Sequence, residues 1–189
     1  SQLRMYLVQK ARDNGAAATP VMIQAQQSRL LREREIRNNL AHFAAAGAEV
    51  IYRGVDVRNE DNFGQLIESI YDQYGRLDAV LHGAGIVEDK LIADKTYESF
   101  DRVFDTKADS CFLLSRYLRP ETLKVVLFFT SVAGRFGNRG QGDYAAANEV
   151  VNRLAWQMDQ MWPNTRVMAI NWGPWDTIGM ASEAVKRQF

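Results

Sequence analysis

The stretch KVVLFFTSVAGRFGNRGQGDYAAAN, residues 124–148, constrains this chain more than any other. It opens on an apolar run, residues 124–129, that is too short for a helix and stops at Thr130 and Ser131. A strand covered on both faces reads as such a continuous run, whereas a helix needs about ten residues or more. A glycine-rich loop follows, and a new helix opens near Asp143. The chain therefore delivers a serine to the C-terminal end of a buried strand. Tyr144 comes thirteen positions later and Asn148 four after that. Residues four apart share a helix face, so both can point at Ser131.

A hydroxyl at a sheet's rim, facing a phenol, is suited to polarising and protonating a carbonyl oxygen. An ordinary phenol titrates near about 10, so a nearby cation, usually a lysine, has to lower it before it works as an acid near neutrality. The same letters also fit an ordinary core helix with a tyrosine near its start. Spacing alone does not separate the two.

Composition excludes several function classes. At 189 residues, 47% hydrophobic and 24% charged, the chain has room for one domain with a real core. Its 23 basic and 23 acidic side chains leave no net field to attract nucleic acid or an anionic membrane. No apolar run approaches about 20 residues and the N-terminus has no basic-then-apolar signal, so a soluble, cytoplasmic chain with no membrane partner is expected. The single cysteine, Cys111, cannot form an internal disulfide and reads as an inert core thiol in a reducing compartment. No metal site is expected.

In chain order, residues 1–13 predict a short helix with Asn14 and Gly15 as its C-cap. A break of small residues precedes a long charged helix from Pro20 to about residue 46, with Ile23, Leu30, Leu31, Ile36, Leu40 and Phe43 as its apolar residues. Its charge run RLLREREIRNN reads as a solvated face. Residues 48–57, AEVIYRGVDV, are β-rich and bring Asp56 to a strand's edge. There Asp56 can accept a hydrogen bond from a ligand's amine, or it can cap the helix predicted over 61–74, which Gly75 closes. RLDAVLHGAG predicts a strand running into small residues, where a ligand can approach the backbone closely. The helix predicted over 97–118 places Phe100, Val103, Phe104, Ala108, Cys111 and Leu114 near its buried stripe, with Lys107 among them. A lysine there is costly unless its head reaches a polar partner, so Lys107 is either functional or snorkels to solvent. RVMAINWGPW predicts a last strand ending in a Gly-Pro turn. Alternation of strands and helices predicts an α/β fold with a mostly parallel, Rossmann-like sheet, its ligands at the carboxyl ends of the strands.

Ser131, Tyr144 and the run SVAGRFGNRGQGDYAAAN, with HGAG at 82–85 and NWGPW at 171–175, resemble the short-chain dehydrogenase/reductase superfamily. The closer resemblance is to the ketoreductase domains of type I polyketide synthases and related polyunsaturated fatty acid synthases. Most of the superfamily has a lysine four residues after the tyrosine. Here Asn148 stands in that place, and Lys107 stands where the ketoreductase pattern moves the lysine. The resemblance implies catalytic roles for Tyr144, Ser131, Lys107 and Asn148, with Lys107 lowering the phenol and Asn148 supporting Lys107 or a water relay. It implies NADPH as cofactor, met by Asp56, Val57, Gly83, Ala84, Gly85, Thr130, Gly173 and Pro174, with Asp56 towards the adenine and His82 structural. Asp89, Phe136, Gln141 and Trp175 are implied to face the substrate, a 3-oxoacyl thioester on an acyl carrier protein among the neighbouring domains of a multienzyme. Val87-Glu88-Asp89 resembles a leucine-aspartate-aspartate signature, and Phe136 stands where the opposite stereochemical class has tryptophan. The implied product is the 3R hydroxyl, and residues 176–189 would begin a lid.

Nothing before residue 48 supplies the first strand, glycine loop and second strand of a Rossmann unit, nor a basic residue for a 2′-phosphate. The expectation is a helical insert or linker at 1–47 and a partial ketoreductase domain at 48–189, which alone binds a dinucleotide weakly. Two rivals stand beside it: a structural, non-reducing segment of a multienzyme, and a free-standing short-chain reductase. The presence of all four catalytic types argues against the first, and the asparagine–lysine exchange with NWGPW argues against the second.

Overall fold

Three helices precede a stretch in which strands and helices alternate: α1 (Gln2–Asp13), α2 (Pro20–Ala45), α3 (Glu60–Tyr74), β1 (Ala79–His82), α4 (Tyr97–Tyr117), β2 (Val125–Ser131), the pair α5 (Ala133–Phe136) and α6 (Gly142–Met161), and β3 (Arg166–Trp172). The structure, a computed structural model, describes residues 2–13 and 19–175. The chain divides into two units, Ser1–Gly54 and Val55–Phe189.

In the second unit the three strands pair in parallel in the order β1-β2-β3, with Leu81 opposite Leu127 and Ser131 opposite Trp172. Parallel neighbours need a crossover, which α4 supplies between β1 and β2, and α5 with α6 between β2 and β3. Central β2 turns Val126, Phe128 and Thr130 inward and leaves the alternate residues half-buried. Val126 and Phe128 join one apolar cluster with Ile67 and Tyr71 of α3, Cys111 and Leu114 of α4, and Val151 and Ala155 of α6. The helix ends follow local chemistry. Asn59 caps α3 by accepting from the Asn62 N–H at 2.9 Å, and Thr96 caps α4 through the Ser99 N–H at 3.2 Å. Gly75 closes α3 in the left-handed region at φ 72°, where a side chain would be strained.

The first unit holds α1 and α2. Thr19 caps α2 by accepting from the Met22 N–H at 3.3 Å, and Pro20 occupies the first turn as expected. Of the apolar residues named for α2 only Ile23 is buried, while Leu30, Leu31, Ile36 and Phe43 are exposed. The run around them is a solvated face, with Glu33 paired to Arg29 and Arg37 one turn either side.

Three expectations change. Residues 48–57 form no strand, because β-branched and aromatic composition favours a strand only on a half-buried pleated surface, and Val50, Ile51 and Tyr52 are exposed. Asp56 does not cap the following helix; Asn59 does, and Asp56 turns both oxygens to Arg58. The loop after β2 contains a helical turn, α5, started when the Ala133 N–H donates to Ser131 Oγ at 3.2 Å. The cap proposed at Asn14 and Gly15 and the lid at 176–189 lie outside the described residues.

His82 is the structural histidine expected. It is buried, with Nε2 2.8 Å from Ser110 Oγ and Nδ1 3.4 Å from the Cys111 thiol. Burial pushes the Cys111 thiol up to about 12 and leaves it inert. Burial, and then the charge of Lys107, lower His82 from 6.5 to about 4. Between those two pH values the unfolded chain binds the histidine's proton and the folded chain does not. Stability therefore falls as pH drops from 6.5 to about 4, by about 3 kcal/mol for this group. A His82→Gln variant lacks that loss, so thermal melts across the window should show its stability deficit against wild type narrowing by that amount.

Candidate active site

Because all three strands run the same way, their carboxyl ends lie together, and a cavity of about 450 Å³ opens there. Gly83 follows β1, Thr130 and Ser131 end β2, and Gly173, Pro174 and Trp175 follow β3; all line it. Lys107 enters from α4, Phe136 from α5, Gln141 from the approach to α6, and Tyr144 from its first turn. Asn148 and Asp89 stand one hydrogen bond behind this lining. Asp89 accepts from Gln141 Nε2 at 3.0 Å, and Asn148 donates to the Tyr144 carbonyl at 2.7 Å. Asp56, Val57, Ala84 and Gly85 are not among the residues that line it.

Lys107 is 3% exposed, and its ammonium donates to the Phe129 carbonyl at 2.8 Å. It does not snorkel to solvent. Burial holds it below the ordinary lysine value of 10.5. The Tyr144 phenol moves against the expectation drawn from the sequence. Burial raises it above 10, hydrogen bonding with Ser131 and Asn148 draws it back, and the charge of Asp89 raises it further. Lys107 is not among the groups that shift it, and its ammonium is engaged by Phe129. The phenol is thus a protonated donor at neutral pH, lining the same cavity as Ser131.

Two buried polar atoms beside these groups have no partner, Asn148 Oδ1 and Thr130 Oγ1. Buried polar atoms are nearly always hydrogen-bonded; Thr130 lines the cavity, where a ligand would satisfy it, whereas Asn148 lies behind the lining. Gly134 on α5 sets the spacing between this corner and α6. A Cβ there would stand 3.0 Å from the Asn148 Cβ and 3.1 Å from the Glu149 backbone nitrogen. Gly134→Ala should push α5 off α6, lowering stability by about 1–3 kcal/mol in denaturant titration.

Several contributors escape sequence reading. Phe129, Asn138 and Trp172 line the cavity without belonging to any predicted site set, and Val87 of the signature-like triplet lines it with them. Glu88, which stands in the signature-like triplet, faces α4 instead, accepting from Ser99 Oγ at 2.6 Å and from Arg102; the Arg102 and Ser99 bonds hold its carboxyl down to about 2. Lys95 and Asp143, 48 positions apart, form a buried ion pair next to Tyr144. Asp143 directly precedes the tyrosine, which is the only local sign, and no sequence spacing links it to Lys95.

The model of the KR domain family matches residues 10–177. The chain belongs to the KR domain family, the ketoreductase domains. It is 33% identical over 180 residues to a polyunsaturated fatty acid synthase subunit of Thraustochytrium sp. (strain ATCC 26185 / S-3), covering 95% of this chain and 6% of that protein. It is 33% identical over 148 residues to the polyketide synthase PksN of Bacillus subtilis (strain 168), covering 75% of this chain and 3% of PksN. Among solved structures, a ketoreductase domain from the bacillaene assembly line superposes with a TM-score of 0.73 at 33% identity, over 80% of this chain and 37% of that one. A short-chain dehydrogenase from Mycobacterium avium superposes at 0.65 and 26% identity, over 71% of this chain and 52% of that one. The chain thus spans a small part of the synthases it matches, and its parallel sheet with flanking helices is the Rossmann-like fold of these neighbours. Among the described residues no helix is long and apolar enough to cross a membrane, and no cluster of histidine, cysteine or carboxylates could hold a metal.

Proposed function

We propose that the protein containing this chain reduces a 3-oxoacyl thioester, presented on an acyl carrier protein, to the 3-hydroxyacyl thioester with NADPH. The observation that carries this reading is the convergence of Tyr144, Ser131 and a buried Lys107 on one cavity at the strand ends. The cavity fits the nicotinamide end of a dinucleotide. Gly83 and the Gly173–Pro174 turn leave room for close approach, Thr130 Oγ1 offers an unpartnered hydroxyl, and Trp172 supplies an apolar wall. When bound, the cofactor supplies hydride to the carbonyl carbon. Asp56, both oxygens engaged by Arg58, lies apart from this end and would meet the adenine only if Arg58 turned away. NADPH rather than NADH follows from the family resemblance alone.

In this reading the Ser131 hydroxyl donates to the substrate's carbonyl oxygen and stabilises charge developing there. Tyr144, protonated at neutral pH, gives that oxygen its proton. Lys107 offers the cofactor's ribose hydroxyls an ammonium, and Asn148 Oδ1 is free to accept from a water that returns the proton. Gln141, held by Asp89 and in turn accepting from Asn138 Nδ2 at 3.1 Å, presents a polar wall to the thioester chain together with Phe136 and Trp175. A non-reducing scaffold would have no use for a buried lysine aimed at this cavity, and the cost of burying it disfavours that alternative. A free-standing reductase is disfavoured by the synthases among its relatives.

The test is cofactor oxidation by the complete natural protein, with a 3-oxoacyl thioester on its carrier protein and on a small thiol. NADPH consumption with stoichiometric 3-hydroxyacyl product, faster on the carrier, is expected. Absence of turnover with every acyl length and with both nicotinamide cofactors would remove the reading.

A further inference from the structure

The geometry points to Lys95 and Asp143 as a positioning pair that sets α6, and therefore Tyr144, at a fixed height against the segment leading into α4. The inference rests on the reductase reading and adds two residues to its machinery. Both side chains are buried, at 2% and 1% exposure. Lys95 Nζ donates to Asp143 Oδ2 and, at 2.7 Å, to the Glu88 carbonyl. The other Asp143 oxygen accepts from the Tyr144 N–H at 2.8 Å. A continuous polar chain therefore runs from the Glu88 backbone through Lys95 and Asp143 to the backbone of Tyr144.

The far end of that chain is anchored on the helix that bears Lys107. The Glu88 carboxylate accepts from Ser99 Oγ at 2.6 Å and from Arg102 Nε at 2.9 Å, both on α4. Two further bonds run alongside, Lys90 N–H to the Gly140 carbonyl at 2.9 Å and Gln141 Nε2 to Asp89. Residues 88–95 thus join α4 to the start of α6. No side chain caps α6 at Gln141, so Asp143 is the acidic group that holds its first turn.

A buried ion pair adds little net stability, because desolvation offsets the attraction. What it supplies is one arrangement, since any other leaves a charge buried without a partner. An apolar pair of similar volume would fill the space yet leave α6 free to slide along its axis. Sliding by a fraction of a turn would carry the phenol away from Ser131.

The test compares the complete natural protein with Lys95→Met/Asp143→Leu, in which both charges are removed together, and with Lys95→Arg, which keeps the charge but changes its reach. Melting temperature, NADPH affinity, kcat and KM are measured, with Tyr144→Phe alongside. The double variant should melt near wild type and bind NADPH normally, while kcat falls by about 10-fold to 10²-fold with KM little changed, as displacement of about 1 Å commonly produces. A folded double variant with wild-type kcat would overturn the inference. Should the double variant not fold, Lys95→Arg decides: a lowered kcat at unchanged melting temperature supports the pair's role, and unchanged kcat overturns it. Retention of full turnover by Tyr144→Phe would instead remove the reductase reading itself, so the two failures are distinguishable.

Discussion

Tyr144→Phe is expected to lower kcat by about 10²-fold to 10⁴-fold, the range a positioned general acid contributes. The ring and its packing remain, so stability should change by no more than about 1 kcal/mol. Substrate affinity should change little, because the proton moves only in the transition state. The pH dependence adds a second reading of the same residue. The kcat/KM profile reports groups of the free enzyme, where burial holds the phenol above 10. An acid in that position stays protonated through neutrality, so the profile should remain level on the alkaline side until pH passes the ordinary phenol range. An alkaline limb centred near neutrality would mean that Lys107 does lower the phenol, as the family resemblance implies, in a geometry other than this one. Stopped-flow rates on wild type and Tyr144→Phe across pH separate the two.

What could be read from the chain in advance was local in origin. β2 is legible because five consecutive apolar residues have no amphipathic option and end at a hydroxyl pair. α6 is legible because a glycine-rich loop must end somewhere, and YAAAN is strongly helical. Lys107 is legible because its neighbours on the helix stripe, Val103 and Cys111, are apolar, and the structure buries it beside them. Asp56 and the 48–57 run fail for the opposite reason. Strand formation depends on a partner at the edge, which composition does not record, and a helix cap depends on a backbone turn, which passed to Asn59 three residues further on. The raised phenol was illegible too, because it results from burial and an Asp89 charge 55 positions away, effects that no local window contains. Lys95 and Asp143 were hidden for the same reason, since each alone looks like surface charge. Periodicity therefore recovers which elements exist and which face is buried. Groups that meet across the fold appear only when the strands are assembled.

Lys107→Met should uncouple stability from activity more sharply than any other substitution in the site. The ammonium is buried with one backbone carbonyl as its hydrogen-bond partner, and burial has already lowered its affinity for the proton. A lysine whose folded value lies below its unfolded value costs stability at every pH beneath the folded value, because the unfolded chain holds that proton more tightly. Methionine has nearly the same length, occupies the same buried stripe of α4 between Val103 and Cys111, and carries no charge to desolvate. The melting temperature should therefore hold or rise by a few degrees, the bond to the Phe129 carbonyl being the part given up. Turnover should fall by about 10²-fold or more, because the ammonium is the only cation lining the cavity among the described residues and nothing replaces it at the ribose end. Active sites that store such a cost are expected to gain stability when the function is removed. Calorimetry and NADPH oxidation on the same preparation measure both quantities at once. A variant that melts well below wild type while keeping its turnover would make Lys107 a structural residue and remove its proposed role at the cofactor's ribose.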